Sequence, residues 1–170
     1  MSNRRRHGEG FSFSEANKIK AEEIIRRYPL GQERSAVLPL LNMAQCQNGG
    51  WLSQECIVYV GALLKMPEMR VQEVASFYSM LHLTPKGTYH IQVCGTPPCW
   101  LCDSGKIVKA CKKWLGIDVG ETTADGKFSL SEVECLGACT KAPVVQINDD
   151  YHESLTDKRM EEILEGLVGE

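Results

Sequence analysis

Two short cysteine spacings constrain this chain more than any other feature. Cys94-x4-Cys99 and Cys135-x3-Cys139 each set a pair of thiols in one tight loop, and each loop follows a segment with strand-like alternation. Eight cysteines occur in 170 residues. Cys46 and Cys56 lie in the first half, while Cys94, Cys99, Cys102, Cys111, Cys135 and Cys139 crowd the second. No apolar core of a secretory signal stands near the first residue, so the expectation is a compartment that keeps thiols reduced, where clustered cysteines point to a metal centre rather than to disulfides.

Two patterns divide the chain. Residues 11–83 read as four helices forming a small bundle. The first runs from Ser14 towards Arg27 with Ala16, Ile19, Ile24 and Ile25 inward, and Tyr28, Pro29 and Gly31 stop it. The second spans about Ser35 to Gln47, its apolar set being Val37, Leu40, Leu41 and Ala44. Pro39 must sit near the first turn, because an interior proline would cost roughly 3 kcal/mol. Ser53 caps a third helix with Cys56, Val60, Leu63 and Leu64 on one face, and Pro67 opens a fourth with a stripe of Val71, Val74, Ala75 and Tyr78. Cys56 reads as core and Cys46 as a free surface thiol.

Across 84–87 the period switches from 3.6 to 2, and residues 88–170 read as a second domain. A strand through Tyr89, Ile91 and Val93 runs into Cys94. A helix capped by Asp103 or Ser104 carries Ile107, Val108, Cys111 and Leu115, with Cys111 as core. A strand through Phe128, Leu130 and Val133 leads into Cys135, and another through Val144, Val145 and Ile147 follows Pro143. After a short extended piece near Tyr151, Thr156 caps a last helix with Met160, Ile163, Leu164 and Leu167 inward. The fold class is α+β, with ligands where strands end and the site at the sheet edge.

Four thiolates converging from two strand ends can hold one zinc ion or a small iron-sulfur cluster. Structural zinc knuckles commonly separate paired ligands by two to four residues, which makes Cys94-x4-Cys99 permissible but less typical. A cluster suits the loops, because Gly95, Gly137 and Ala138 are small enough to bring peptide N–H groups towards sulfur. Cys94-x4-Cys99-x2-Cys102 with a distant fourth cysteine also matches plant-type [2Fe-2S] ferredoxins. That set leaves one of Cys135 and Cys139 unused, so the two-pair set is preferred and Cys102 is expected to sit beside the centre without ligating it. His7, His82, His90 and His152 have no mutual metal spacing, and no nucleophile elbow occurs; no catalytic residue is assigned.

Taken together, RSAVLPLL at 34–41, QNGGWLS at 47–53, MRVQEVASFY at 69–78, YHIQVC at 89–94, ECLGAC at 134–139 and APVVQIN at 142–148 resemble the thioredoxin-like [2Fe-2S] subunit family of respiratory complex I, NADH:ubiquinone oxidoreductase. The resemblance covers nearly the whole chain. It implies an N-terminal helical bundle followed by a thioredoxin-like domain holding one [2Fe-2S] cluster on Cys94, Cys99, Cys135 and Cys139. It further implies a partner subunit that binds NADH and FMN and splits the hydride, with this cluster exchanging single electrons with the flavin. The bundle is expected to dock on that partner among the other subunits of the peripheral arm. Cys102 and Cys46 stand where arginine is common in the family, Ser76 and Ser79 where threonine is usual, and Pro143 falls where thioredoxin-like folds carry a cis peptide.

The residues themselves agree with a carrier that borrows its nucleotide chemistry. No G-x-G-x-x-G follows a strand; Gly8 and Gly10 lie in a terminus without periodicity. A net charge of −3, from 19 basic and 22 acidic residues, gives no field for nucleic acid, and no apolar run reaches the roughly 18 residues of a membrane span. Lys106, Lys109, Lys112, Lys113 and Lys141 read as a solvated face, with a positive field for an anionic cluster as the alternative. Arg4, Arg5 and Arg6 read as a solvated terminus, or as the trace of a cleaved targeting segment. The resemblance places the chain on the matrix side of the mitochondrial inner membrane, or on the cytoplasmic face of a bacterial plasma membrane. The alternatives are the small subunit of an NAD-linked hydrogenase or formate dehydrogenase, and a zinc-stabilised interaction module.

Overall fold

The structure is a computed structural model that describes residues 10–168; Arg4, Arg5, Arg6, His7 and Gly8 lie outside the described residues. The chain divides into two compact units that meet in sequence at Pro85 and Lys86.

The first unit is helical: α1 (Glu15–Arg26), α2 (Val37–Gln47), α3 (Gln54–Leu64) and α4 (Glu68–Phe77). Ser14 caps α1 by accepting the Asn17 N–H at 3.3 Å, and Gln47 ties the same end to α2 by accepting from Ser14 N–H and Asn17 Nδ2. A 3-10 turn at Glu33–Ala36 leads straight into α2, so Pro39 falls in the first turn of that helix, where its missing N–H costs little. Leu40, Leu41, Cys56, Ile57, Val60 and Val71 fill the core. Gln45 is buried and clasps the segment beyond α4, donating to Met80 O at 3.0 Å and accepting from His82 N at 2.7 Å.

Several sequence expectations need correcting here. Ala16 and Ile19 face solvent, and the α1 contact is made by Ala21 with Ile24 and Ile25 half-buried. Leu63 and Tyr78 are exposed, and Ile57 takes the core place expected for Leu63. Pro67 is the residue before α4 rather than its first member; its ψ of 137° is extended.

The second unit runs β1 (Tyr89–Cys94), α5 (Pro97–Leu101), α6 (Ser104–Leu115), β2 (Phe128–Val133), β3 (Val145–Ile147), β4 (Asp150–His152) and α7 (Asp157–Val168). The sheet order is β2-β1-β3-β4, with β1 parallel to β2 and antiparallel to β3, and β3 antiparallel to β4. Alternation splits β1 cleanly. Ile91 and Val93 join Leu130, Val145 and Ile147 under Ile107 and Cys111 of α6 and Met160 and Leu164 of α7. His90 and Gln92 turn to the other face, where His90 Nε2 lies 2.8 Å from Ser131 Oγ. The result is one helical layer on one sheet. Thr156 caps α7 as expected, accepting the Arg159 N–H at 3.2 Å, while Ile163 and Leu167 are only half-buried.

This topology decides where the cysteine loops go. Parallel strands end on the same side of a sheet, and Cys94 is in register with Val133, so both cysteine loops leave the same edge. Antiparallel β3 begins at that edge, which brings Pro143 and Val144 beneath the loops.

Candidate metal centre

Cys94 is the last residue of β1 and is buried. Its backbone N–H donates to Val144 O at 3.1 Å, and Gly95 N–H donates to Val133 O at 2.9 Å, so both flanking strands hold the first loop. Five residues later Cys99 sits buried in the middle of α5, a single turn opened by Pro97 and Pro98 at its first two positions. Prolines there cost no hydrogen bond and preset the helical φ. Cys135 follows β2 by two residues, and Cys139 opens a 3-10 turn to Lys141; both are exposed. Gly137, at φ 76°, turns the chain between them; a Cβ there would meet nothing within 4 Å, so glycine is required for its backbone and not for space. The Ala142–Pro143 peptide is cis.

Side chains and peptides from both loops meet around sulfur. Cys94, Cys99 and Val144 form a small apolar cluster with Leu136, Ala138 and Ala142 against it. Burial pushes the Cys94 thiol up, but the Thr96 hydroxyl at 3.2 Å, the N–H groups of Thr96 and Leu136 and the Cys99 thiol outweigh it and hold Cys94 below the usual thiol range. Burial, the Cys94 sulfur it faces and the charges of Cys94 and Cys139 raise Cys99 to about 11, against a donation from Val144 N–H. The structure therefore brings Cys99 within electrostatic reach of both Cys94 and Cys139. The backbone on either side of Cys135 reaches the same site, with Glu134 O 3.6 Å from Cys94 Sγ and the Leu136 N–H donating to that sulfur.

The donors that reach sulfur differ from those the sequence suggested. Gly95 N–H is spent on the strand, and its lack of Cβ makes room for the Glu132 carboxylate. Thr96, Leu136 and Val144 supply the sulfur contacts instead. Only Thr96, a hydroxyl two residues beyond a cysteine, carried a signal in the sequence; Leu136 and Val144 act through backbone, which side-chain chemistry does not reveal. Of the five lysines, Lys106 pairs with Asp103, Lys112 with Asp118 and Lys141 with Glu153, all at 2.8 Å on the surface. Cys46 and Cys102 are exposed, and Cys56 and Cys111 are fully buried.

This donor set fits a two-iron cluster. Peptide N–H groups directed at sulfur stabilise thiolates bound to iron.

Comparison with known proteins agrees. The thioredoxin-like [2Fe-2S] ferredoxin family profile matches residues 21–168. A subunit of the NADH-quinone oxidoreductase of Rickettsia felis is 58% identical over 91% of this chain and 93% of its own. NADH dehydrogenase [ubiquinone] flavoprotein 2, mitochondrial, of Dictyostelium discoideum is 51% identical over 86% of this chain and 59% of its own. An NAD+-reducing [NiFe]-hydrogenase structure superposes with a TM-score of 0.68 at 21% identity, covering 78% of this chain and 23% of that one, a likeness of fold. With cysteine loops on one sheet edge and a family match that spans both units, the chain belongs to the thioredoxin-like [2Fe-2S] ferredoxin family.

Proposed function

We propose that Cys94, Cys99, Cys135 and Cys139 ligate one [2Fe-2S] cluster, and that the chain thereby exchanges single electrons with FMN on the neighbouring NADH-oxidising subunit of an NADH:quinone oxidoreductase. The observation that carries the ligand set is the Leu136 N–H, inside the second cysteine loop, directed at the sulfur of Cys94 in the first. When bound, such a cluster supplies one-electron exchange, with a potential set by hydrogen bonds to its sulfurs and by burial. The chain's own part is to hold four thiolates at a sheet edge. Thr96, Leu136 and Val144 direct donors at two of them, and Val144 with Leu136 keeps the buried side apolar. Oxidation of NADH delivers two electrons as a hydride, so nucleotide and flavin belong to the partner. The name shared by relatives at 58% identity favours a quinone oxidoreductase over a hydrogenase as the assembly.

Among the described residues no helix is long and apolar enough to cross a membrane. By its relatives, mitochondrial in Dictyostelium and bacterial in Rickettsia, the proposed setting is the peripheral arm of the complex, at the matrix face of the mitochondrial inner membrane or at the cytoplasmic face of a bacterial plasma membrane. Purified full-length protein should be reddish-brown, carry about two irons and about two acid-labile sulfides, and become paramagnetic on one-electron reduction. Cys102→Ser should keep this signal and Cys99→Ser should lose or distort it. Colourless protein with stoichiometric zinc, or loss of the cluster in Cys102→Ser, would overturn the ligand set.

A further inference from the structure

The α5 turn has a hydroxyl at its N-cap that caps nothing. Thr96 holds the extended backbone of an N-cap residue, φ −69° and ψ 160°, yet its side chain makes no capping hydrogen bond. An N-cap oxygen ordinarily accepts from the N–H of the second or third helical residue. Pro97 and Pro98 fill the first two positions here, so the second has no N–H to give. The hydroxyl turns to the preceding cysteine instead. Thr96 Oγ1 lies 3.2 Å from Cys94 Sγ, and among the described residues it makes no other hydrogen bond. It is also the only side-chain oxygen among them within reach of a candidate ligand sulfur, since Leu136 and Val144 reach Cys94 and Cys99 through peptide N–H groups. Two influences oppose each other at Cys94. Burial disfavours negative charge on its sulfur, and of the groups that favour it the Thr96 hydroxyl contributes most. Peptide donors come with the backbone, so the hydroxyl is the part of this balance that the residue at 96 decides.

We propose that Thr96 sets the reduction potential of the centre through Cys94, its hydroxyl donating to the thiolate and favouring the reduced state, in which the ligand sulfurs carry more negative charge. This rests on the ligand set proposed above and names the residue that tunes it. A thiolate bound to iron has no proton of its own, so in the Thr96–Cys94 pair the hydroxyl is the donor. Hydrogen bonds to sulfur strengthen as charge builds there, which is why they raise a potential and burial lowers it. One electron enters from a reduced flavin and no covalent bond forms or breaks. The proton stays on the Thr96 oxygen throughout, so electron uptake through this contact carries no proton with it.

The test is a redox titration of full-length, cluster-loaded protein followed by its paramagnetic signal, with iron and sulfide measured for every variant. Thr96→Val keeps the branched shape and removes the hydroxyl. It should retain about two irons and about two sulfides and lower the equilibrium constant for one-electron reduction by about tenfold, a midpoint about 59 mV below wild type. Thr96→Ser keeps the hydroxyl and should bring that constant back to within about twofold of wild type. The Thr96→Val shift should be equal at about pH 6.5 and about pH 8.5, because an aliphatic hydroxyl does not titrate there. A wild-type midpoint in Thr96→Val at full iron content would overturn the proposal. So would a Thr96→Ser midpoint that stays with Thr96→Val, which would assign the shift to loop packing. If Thr96→Val does not load, Thr96→Ala makes the same comparison; loss of iron from both, with Thr96→Ser loaded, would make the hydroxyl a requirement for assembly and overturn its tuning role. A wild-type chain without iron would instead sink the ligand set beneath the proposal.

Discussion

Cys111 shows how a cysteine can belong to this chain without belonging to its centre. It is fully buried on the core side of α6, and burial pushes its thiol from the ordinary 9.0 up to about 12. An acid whose pKa is raised by folding stabilises the fold below its unfolded value and loses that contribution as pH climbs towards the folded one. Between about pH 8 and about pH 10 the unfolded thiol ionises while the folded one does not, so stability should fall by about 1 kcal/mol from this group alone. Urea midpoints should show it: Cys111→Val should be less sensitive to alkaline pH than wild type, and parallel decline of the two would clear the thiol. Cys56 follows the same direction for the same reason, tempered by the Ser53 hydroxyl at 3.5 Å. Neither buried thiol offers the accessible thiolate that alkylation needs. In folded, cluster-loaded protein, iodoacetamide should therefore label Cys46 and Cys102 and spare Cys56 and Cys111. Mass spectrometry that found Cys111 labelled as fast as Cys46 would contradict its burial.

At the level of elements, the glycine before β1 is fixed by backbone proximity. A Cβ on Gly87 would lie 2.6 Å from the Phe128 carbonyl carbon and 2.8 Å from its nitrogen, atoms of β2 that cannot swing away. Gly87→Ala should cost about 1–3 kcal/mol as overpacking. Gly166 in α7 has nothing within 4 Å of its Cβ position, so Gly166→Ala should gain about 0.5–1 kcal/mol from helix propensity alone. Thermal midpoints moving in opposite directions would confirm the contrast, and equal shifts would refute it. The strands were legible because Ile91 with Val93, and Phe128 with Leu130, recur two residues apart and are buried together on one face. The α5 turn was not: five residues are too few for a period, and Pro97 with Pro98 reads as a loop until its prolines are seen at the first two helical positions. Asp103 was expected as a possible side-chain cap for α6. It stands at that position in the left-handed region, φ 67°, and makes no capping bond, using its carboxylate on Lys106 instead. In α1 the period suggested Ile19 as core, but tertiary packing rotates Ala21 inward and leaves Ile19 63% exposed. The four cysteines were legible as two pairs by spacing alone. That the two loops leave the same edge follows from β1 and β2 being parallel, a property of the sheet that neither loop encodes by itself.

At the scale of the molecule, all four proposed ligands, Cys94, Cys99, Cys135 and Cys139, lie in the second unit. The core under the sheet is drawn from Tyr89 to Leu167, and the cluster of Cys94, Cys99 and Val144 with its partly buried neighbours from Cys94 to Val144. The first unit has a separate core, from Phe13 to Leu81. Residues 86–170 produced alone should therefore fold and bind about two irons and two sulfides when supplied with both. A domain this small sits near the limit at which a hydrophobic core suffices, so ligand binding should supply a substantial part of its stability. Iron removal by a chelator should accordingly lower the unfolding midpoint of the isolated second unit, while residues 10–85, with no cluster ligand, should unfold at the same midpoint with or without chelator. A second unit that stayed unfolded and colourless under reconstitution would mean that its fold depends on the helical unit, and the two cores would then have to be treated as one cooperative structure.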